Sequence, residues 1–92
     1  MKVKVYAVYD NKSLVYKQTF TATARGEALR SFMTAVNTPN TSLHDYPEDF
    51  ELYEIAEYDD LTAEYTNQAP LLLGRGSEYK KGKTNEVQNI EQ

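Results

Sequence analysis

Four groups of residues in this chain have types and spacings that could do chemistry. His44-Asp45 sets an imidazole beside a carboxylate, as in an oriented general base, but no nucleophile motif stands near and a lone loop histidine is the ordinary surface residue. Glu57, Asp59 and Asp60 could offer oxygens to a hard cation, yet they lack the alternating Asp, Asn and Gly of a calcium loop, and adjacent carboxylates in a turn usually cap backbone N–H groups. Gly74-Arg75-Gly76 is too short for a phosphate cradle and no helix start is expected after it, so it reads as a flexible turn. Lys2, Lys4 and Lys17 gather around Tyr6, with Thr19 and Thr21 beyond, which is what single-stranded nucleic acid requires: charge for phosphates and a ring for stacking. The other reading of these lysines is a solvated face that keeps strands from pairing edge to edge. Lys80, Lys81 and Lys83 would be a loose second point of contact.

Much chemistry is excluded outright. The chain has no cysteine and one histidine, so disulfides, thiolate sites and any site needing two imidazoles are absent. No catalytic residue, metal, cofactor or small-molecule substrate is expected. Lys and Arg outnumber acids six to two in residues 1–30, whereas residues 31–66 hold nine acids and neither Lys nor Arg; the whole chain carries −4. Nucleic-acid binding would therefore need a local patch, not the overall field. The opposed charges of the two segments also suggest a homodimer. The eight tyrosines suit either a small core with polar rims or a contact surface.

These groups must be positioned by one small domain, since 92 residues bury only about 60–65 % of their unfolded surface, too little for two cores. No apolar run approaches the roughly 20 residues of a membrane span, and the N-terminus lacks the apolar centre of a signal peptide, so the expected location is cytoplasmic. Residues 2–9 and Leu14–Thr21 read as strands joined through Asp10–Ser13. A two-residue turn at Asn11-Lys12 would set Val8 opposite Val15, Tyr6 opposite Lys17, Lys4 opposite Thr19 and Val3 opposite Phe20. One face would then carry Val3, Val5, Ala7, Tyr9, Leu14, Tyr16, Gln18 and Phe20 and form the core; the other carries the lysines and Tyr6.

From Ala24 to Asn37 the period becomes helical, with Leu29, Phe32, Met33 and Val36 at i, i+3, i+4 and i+7, and Pro39 beyond its end. Thr41–Asp49 reads as a loop. Phe50–Tyr58 reads as a central strand with Leu52, Ala56 and Tyr58 on one side and Tyr53 and Ile55 on the other. Asp59–Ala63 reverses the chain into a strand Glu64–Asn67, and Leu71-Leu72-Leu73 is either an edge strand or a strap. The prediction is an α+β fold of ββαββ order, one helix on a mainly antiparallel sheet, spanning residues 1–80, with 81–92 as a flexible polar tail.

The order of Val5-Tyr6-Ala7-Val8-Tyr9-Asp10-Asn11-Lys12, Gly26-Glu27-Ala28-Leu29-Arg30-Ser31-Phe32, Ala35-Val36-Asn37, His44-Asp45-Tyr46-Pro47-Glu48-Asp49-Phe50, Glu57-Tyr58-Asp59-Asp60, Leu73-Gly74 and Lys80-Lys81-Gly82 resembles the small non-structural protein of gokushoviruses, single-stranded-DNA bacteriophages of the microvirus group. The similarity covers roughly residues 2–83; Ala63 stands where that family's second hairpin turn is expected to carry glycine. The resemblance implies a non-structural, DNA-binding protein made in the cytoplasm of the infected bacterium, acting in single-stranded genome synthesis without catalytic residues. Its partners would be single-stranded DNA or phage and host replication proteins. The alternatives are a protein adaptor or self-assembling module that touches no DNA, and an acidic surface that imitates DNA.

Overall fold

The computed structural model describes residues 1–81, so of the expected tail only Lys81 is seen; Lys83 and the rest lie outside the described residues. Strands β1 (Lys2–Asp10), β2 (Val15–Ala22), β3 (Phe50–Asp59) and β4 (Glu64–Arg75) form one antiparallel sheet in the order β2-β1-β3-β4. Helix α1 (Arg25–Val36) joins the two hairpins. Two short helices, α2 (Ser42–Asp45) and α3 (Gly76–Tyr79), and a 3-10 helix at Pro47–Asp49 complete the ββαββ α+β plan.

Helix α1 forms where its apolar positions recur. Ala28, Phe32 and Val36 are buried at i, i+4 and i+8, with Leu29 packed beside them. Its first turn is closed by Glu27, whose carboxylate accepts the Thr23 N–H at 3.0 Å, while Ala24 contributes no side-chain cap. At its other end Asn37 donates to the carbonyls of Met33 at 2.8 Å and Tyr79 at 2.9 Å and accepts the Lys81 N–H at 2.7 Å, which ties α1 to α3.

The segment expected as a loop is built instead. Thr41 Oγ1 accepts the His44 N–H at 3.1 Å and so starts α2, and Pro47 starts the 3-10 helix, where a missing N–H costs nothing. Pro47 is buried against Gly76, where any Cβ would collide with the Pro47 carbonyl. Gly74-Arg75-Gly76 is therefore not a free turn: it ends β4 and starts α3, and Gly74 makes room for the Tyr79 ring. The Leu71–Leu73 segment is edge strand, since β4 continues without a break past Pro70.

The first hairpin departs from the expected register. Asp10 Oδ1 accepts the N–H of Lys12 at 2.9 Å and of Ser13 at 3.3 Å, and Leu14 turns the chain with φ 63°. These bonds favour a four-residue turn over two residues, so Asp10 pairs with Val15 and Val8 with Lys17. A bulge at Gln18 (φ 50°) then shifts the ladder again, setting Phe20 opposite Tyr6 and off the face shared by Val5 and Ala7. A second bulge between Glu54 and Ala56 moves Ala56 and Tyr58 to the side opposite Leu52.

The larger correction concerns which face is covered. The core cluster is Tyr6, Val8, Ala22, Ala28, Phe32, Val36, Phe50 and Leu52, flanked by Phe20, Leu29, Leu43, Leu73 and Tyr79. Helix α1 thus lies on the face of Tyr6, not on that of Val3, Val5, Ala7 and Tyr9. Alternation in β1 could not decide this, because both its faces are apolar; in the structure Phe50 and Leu52 of β3 join Tyr6 and Val8 on the face that packs against α1.

Candidate functional site

The expected nucleic-acid face is dismantled by this arrangement. Tyr6 is fully buried, its ring 5.6 Å from that of Phe20, and presents nothing for a base to stack on. Lys4 is half-buried and bonded to Glu57 at 3.3 Å; Lys17 meets Asp10 at 3.3 Å. Lys2 is exposed opposite Asp59. Lys80 donates to the Lys81 carbonyl at 3.3 Å, and Lys81 is exposed. Lys4 and Lys17 are thus paired with carboxylates, and the ring they should surround is buried.

The acidic residues are also occupied. Asp59 accepts the Leu61 N–H at 2.9 Å and Asp60 holds the Met1 ammonium at 2.7 Å, so they close the second hairpin and anchor the N-terminus. His44 Nδ1 lies 3.2 Å from Asp45 on the surface of α2. Among the described residues no group of three or more His, Asp or Glu is placed to hold a metal ion.

Below α1 lies a polar network that sequence reasoning missed. Glu54 is 2 % exposed, its carboxylate accepting from Arg25 Nε at 2.8 Å and from Gln68 at 3.1 Å. The Arg25 bond holds this carboxyl below its usual range despite burial. Burial, with the Glu54 charge nearby, pushes the Tyr6 hydroxyl up, and that hydroxyl has no hydrogen-bond partner among the described residues. The network is a clamp from the first residue of α1 to Glu54 of central strand β3 and Gln68 of edge strand β4. Its signal in the sequence, Glu54 two residues after Leu52 and so on the same side of β3, was present in the alternation but was not read as inward.

The other side of the sheet holds the notable concentration of chemistry. By strand alternation, the side chains there are Val3, Val5, Ala7 and Tyr9 of β1, Tyr16 and Thr21 of β2, Glu51, Tyr53, Ala56 and Tyr58 of β3, and Tyr65, Asn67, Leu72 and Arg75 of β4. All the described helices contribute their buried side chains to the opposite face. Tyr9, Tyr16 and Tyr53 form a trio, with ring centroids 4.6 Å apart for Tyr9–Tyr16, 5.9 Å for Tyr9–Tyr53 and 5.4 Å for Tyr16–Tyr53, the last two edge to face. At the other end Tyr58 and Tyr65 lie 4.7 Å apart. Between them Val5, Ala7 and Ala56 are sealed among larger neighbours, whereas Tyr16 remains 47 % and Tyr65 64 % exposed.

The face carries almost no charge. Its two charged side chains, Glu51 and Arg75, are paired at 3.4 Å, and Tyr53 donates its hydroxyl to Glu51 at 3.2 Å. Burial raises the Tyr53 hydroxyl above its ordinary value, with the Glu51 charge adding to it. The arrangement can therefore bury rings and exchange hydroxyl hydrogen bonds, but it offers phosphates no free cation. Tyr9 and Tyr16 were legible as neighbours of Val5 and Ala7; that this apolar face stays uncovered was not.

A family model described as Phage ORF5 protein matches residues 3–79. No curated protein and no solved structure matches the chain.

Proposed function

The chain belongs to the Phage ORF5 protein family, and from that premise we propose that it is a non-catalytic phage accessory protein that works by binding proteins through the tyrosine face of its sheet. The observation that carries this is an apolar sheet face with five tyrosines, which no helix among the described residues covers. Exposed apolar patches of this kind mark interaction sites, and tyrosine is enriched in them because it buries area while its hydroxyl finds a partner. The resemblance to the gokushovirus protein supports a place in single-stranded genome synthesis, in the cytoplasm of the infected bacterium, with proteins of replication as partners. No helix of the described residues is long and apolar enough to cross a membrane.

Direct contact with single-stranded DNA is the second reading, favoured by the same rings, which could stack on bases. Stacking proteins pair such rings with a positive groove that follows the backbone, and here Arg75 is bound to Glu51 in a chain of charge −4. A titration of fluorescent single-stranded DNA at about 50 mM salt, where phosphate contacts are strongest, distinguishes the two. The protein reading expects no saturable binding; binding that weakens in Tyr16→Ser would transfer the face to DNA.

A further inference from the structure

We propose that the occupant of the tyrosine face is a second copy of this chain, the two sheets meeting face to face in a symmetric dimer. This rests on the protein-binding reading above and names its partner.

Three observations select a second copy. First, the face is neutral: Glu51 and Arg75 cancel locally, so two chains of −4 can bring these surfaces together without opposing like charges at the contact. A basic or acidic partner would find no counter-charge. Second, tyrosine is its own complement, since each hydroxyl both donates and accepts, and a patch of tyrosines can meet an identical patch with every hydroxyl satisfied. A symmetric interface demands that one surface fit itself.

Third, the size is right. Four strands about 4.8 Å apart and about nine residues long at about 3.4 Å each present a face of roughly 19 by 30 Å, or about 570 Å². Two copies would bury about 1,100 Å² together, above the roughly 1,000 Å² a biological interface should clear and in the range of weak, reversible association. Facing sheets pack about 10 Å apart with interdigitating side chains, for which the exposed rings of Tyr16 and Tyr65 are available.

The sheet edges are poor alternatives. The outer strand β4 contains Pro70, which offers no N–H to a neighbour, and β2 is kinked by the bulge at Gln18 and carries Lys17. The charge-held dimer suggested by the opposed segments is a different object, because it would dissolve as salt screens it.

The test is sedimentation velocity over a concentration series, on the full chain and on Tyr16→Ser/Tyr65→Ser, at about 0.1 M and about 1 M salt. Both tyrosines are exposed, and circular dichroism with a melt confirms that the variant folds. The full chain is expected to dimerise equally at both salts, and the double variant to dimerise at least about tenfold more weakly. A monomer at the highest concentration, a dimer lost at high salt, or a variant that dimerises as well as the original overturns the proposal. Titrating the same samples with single-stranded DNA separates the two readings: a monomer that binds no DNA removes the second copy alone, whereas DNA binding lost in the variant removes the protein-binding reading too.

Discussion

The two faces of this sheet are built from the same strands and meet opposite fates. The face of Tyr6, Val8, Phe50 and Leu52 is closed by α1, and it tolerates a buried carboxylate because Arg25 and Gln68 satisfy it. Among the described residues, the face of Val5, Ala7 and Ala56 has neither helix nor buried charge over it and is roofed by its own tyrosine rings. The difference teaches that hydrophobic alternation reports which side chains share a face, not which element covers it. A two-sided apolar sheet with one helix must leave one side for something else.

The sharpest way to break this comparison is to cut the covered face. Phe32→Ala removes a ring that is 2 % exposed and touches Tyr79 edge to face, and is expected to cost about 3–5 kcal/mol in urea unfolding. The same truncation on the open face, Tyr16→Ala, is expected to cost the monomer less than about 1 kcal/mol, because that ring is half solvated before unfolding. Equal losses would mean that the two faces are equally closed.

Acid should act through the covered side and its rim. Hydrogen bonds from the Lys12 backbone N–H and neighbours lower the Asp10 carboxyl to about 2, and Glu54 is held down by Arg25. Both groups bind protons more weakly folded than unfolded, so their contribution is complete above about pH 5 and is lost as pH falls toward about 2. Urea midpoints followed from neutral pH downward should decline through that window. Glu54→Gln, which cannot titrate, is expected to start lower and fall less steeply; a parallel curve would mean the clamp contributes nothing.

The turns supply the smallest effect. Ala63 sits at φ 64°, where a Cβ is unfavourable, so Ala63→Gly is expected to stabilise the chain by about 0.5–1 kcal/mol with no change at either face. A destabilised variant would show that the strain is not real.

Much of this was readable from residues alone. The period of Leu29, Phe32, Met33 and Val36 located α1 within a residue at each end, and the turn residues placed both hairpins. The register of the first hairpin was not readable, because Asp10 can close a two- or a four-residue turn, and its bonds to Lys12 and Ser13 decide between them. Bulges at Gln18 and Ile55 leave no mark in alternation short of flipping it, and from that flip came the wrong company for Phe20, Ala56 and Tyr58. Tyr6 could not serve as a stacking ring for a different reason: it shares a face with Lys4 and Lys17 as alternation indicates, but that is the side α1 covers. The tyrosine face was half legible, since Tyr9 and Tyr16 were placed together, but Tyr53, Tyr58 and Tyr65 join them only across strand pairs distant in sequence.

The most direct test of the central claim, that the uncovered face meets a second copy of the chain, is a dilution series of two-dimensional NMR spectra with the tyrosine rings assigned. Concentration-dependent shifts confined to Tyr9, Tyr16, Tyr53, Tyr58, Tyr65 and the strand amides around them, with Phe32 and Phe50 unmoved, are the predicted result. Shifts centred instead on Lys2, Lys4 and Lys17, or spectra that do not change with concentration, would contradict it.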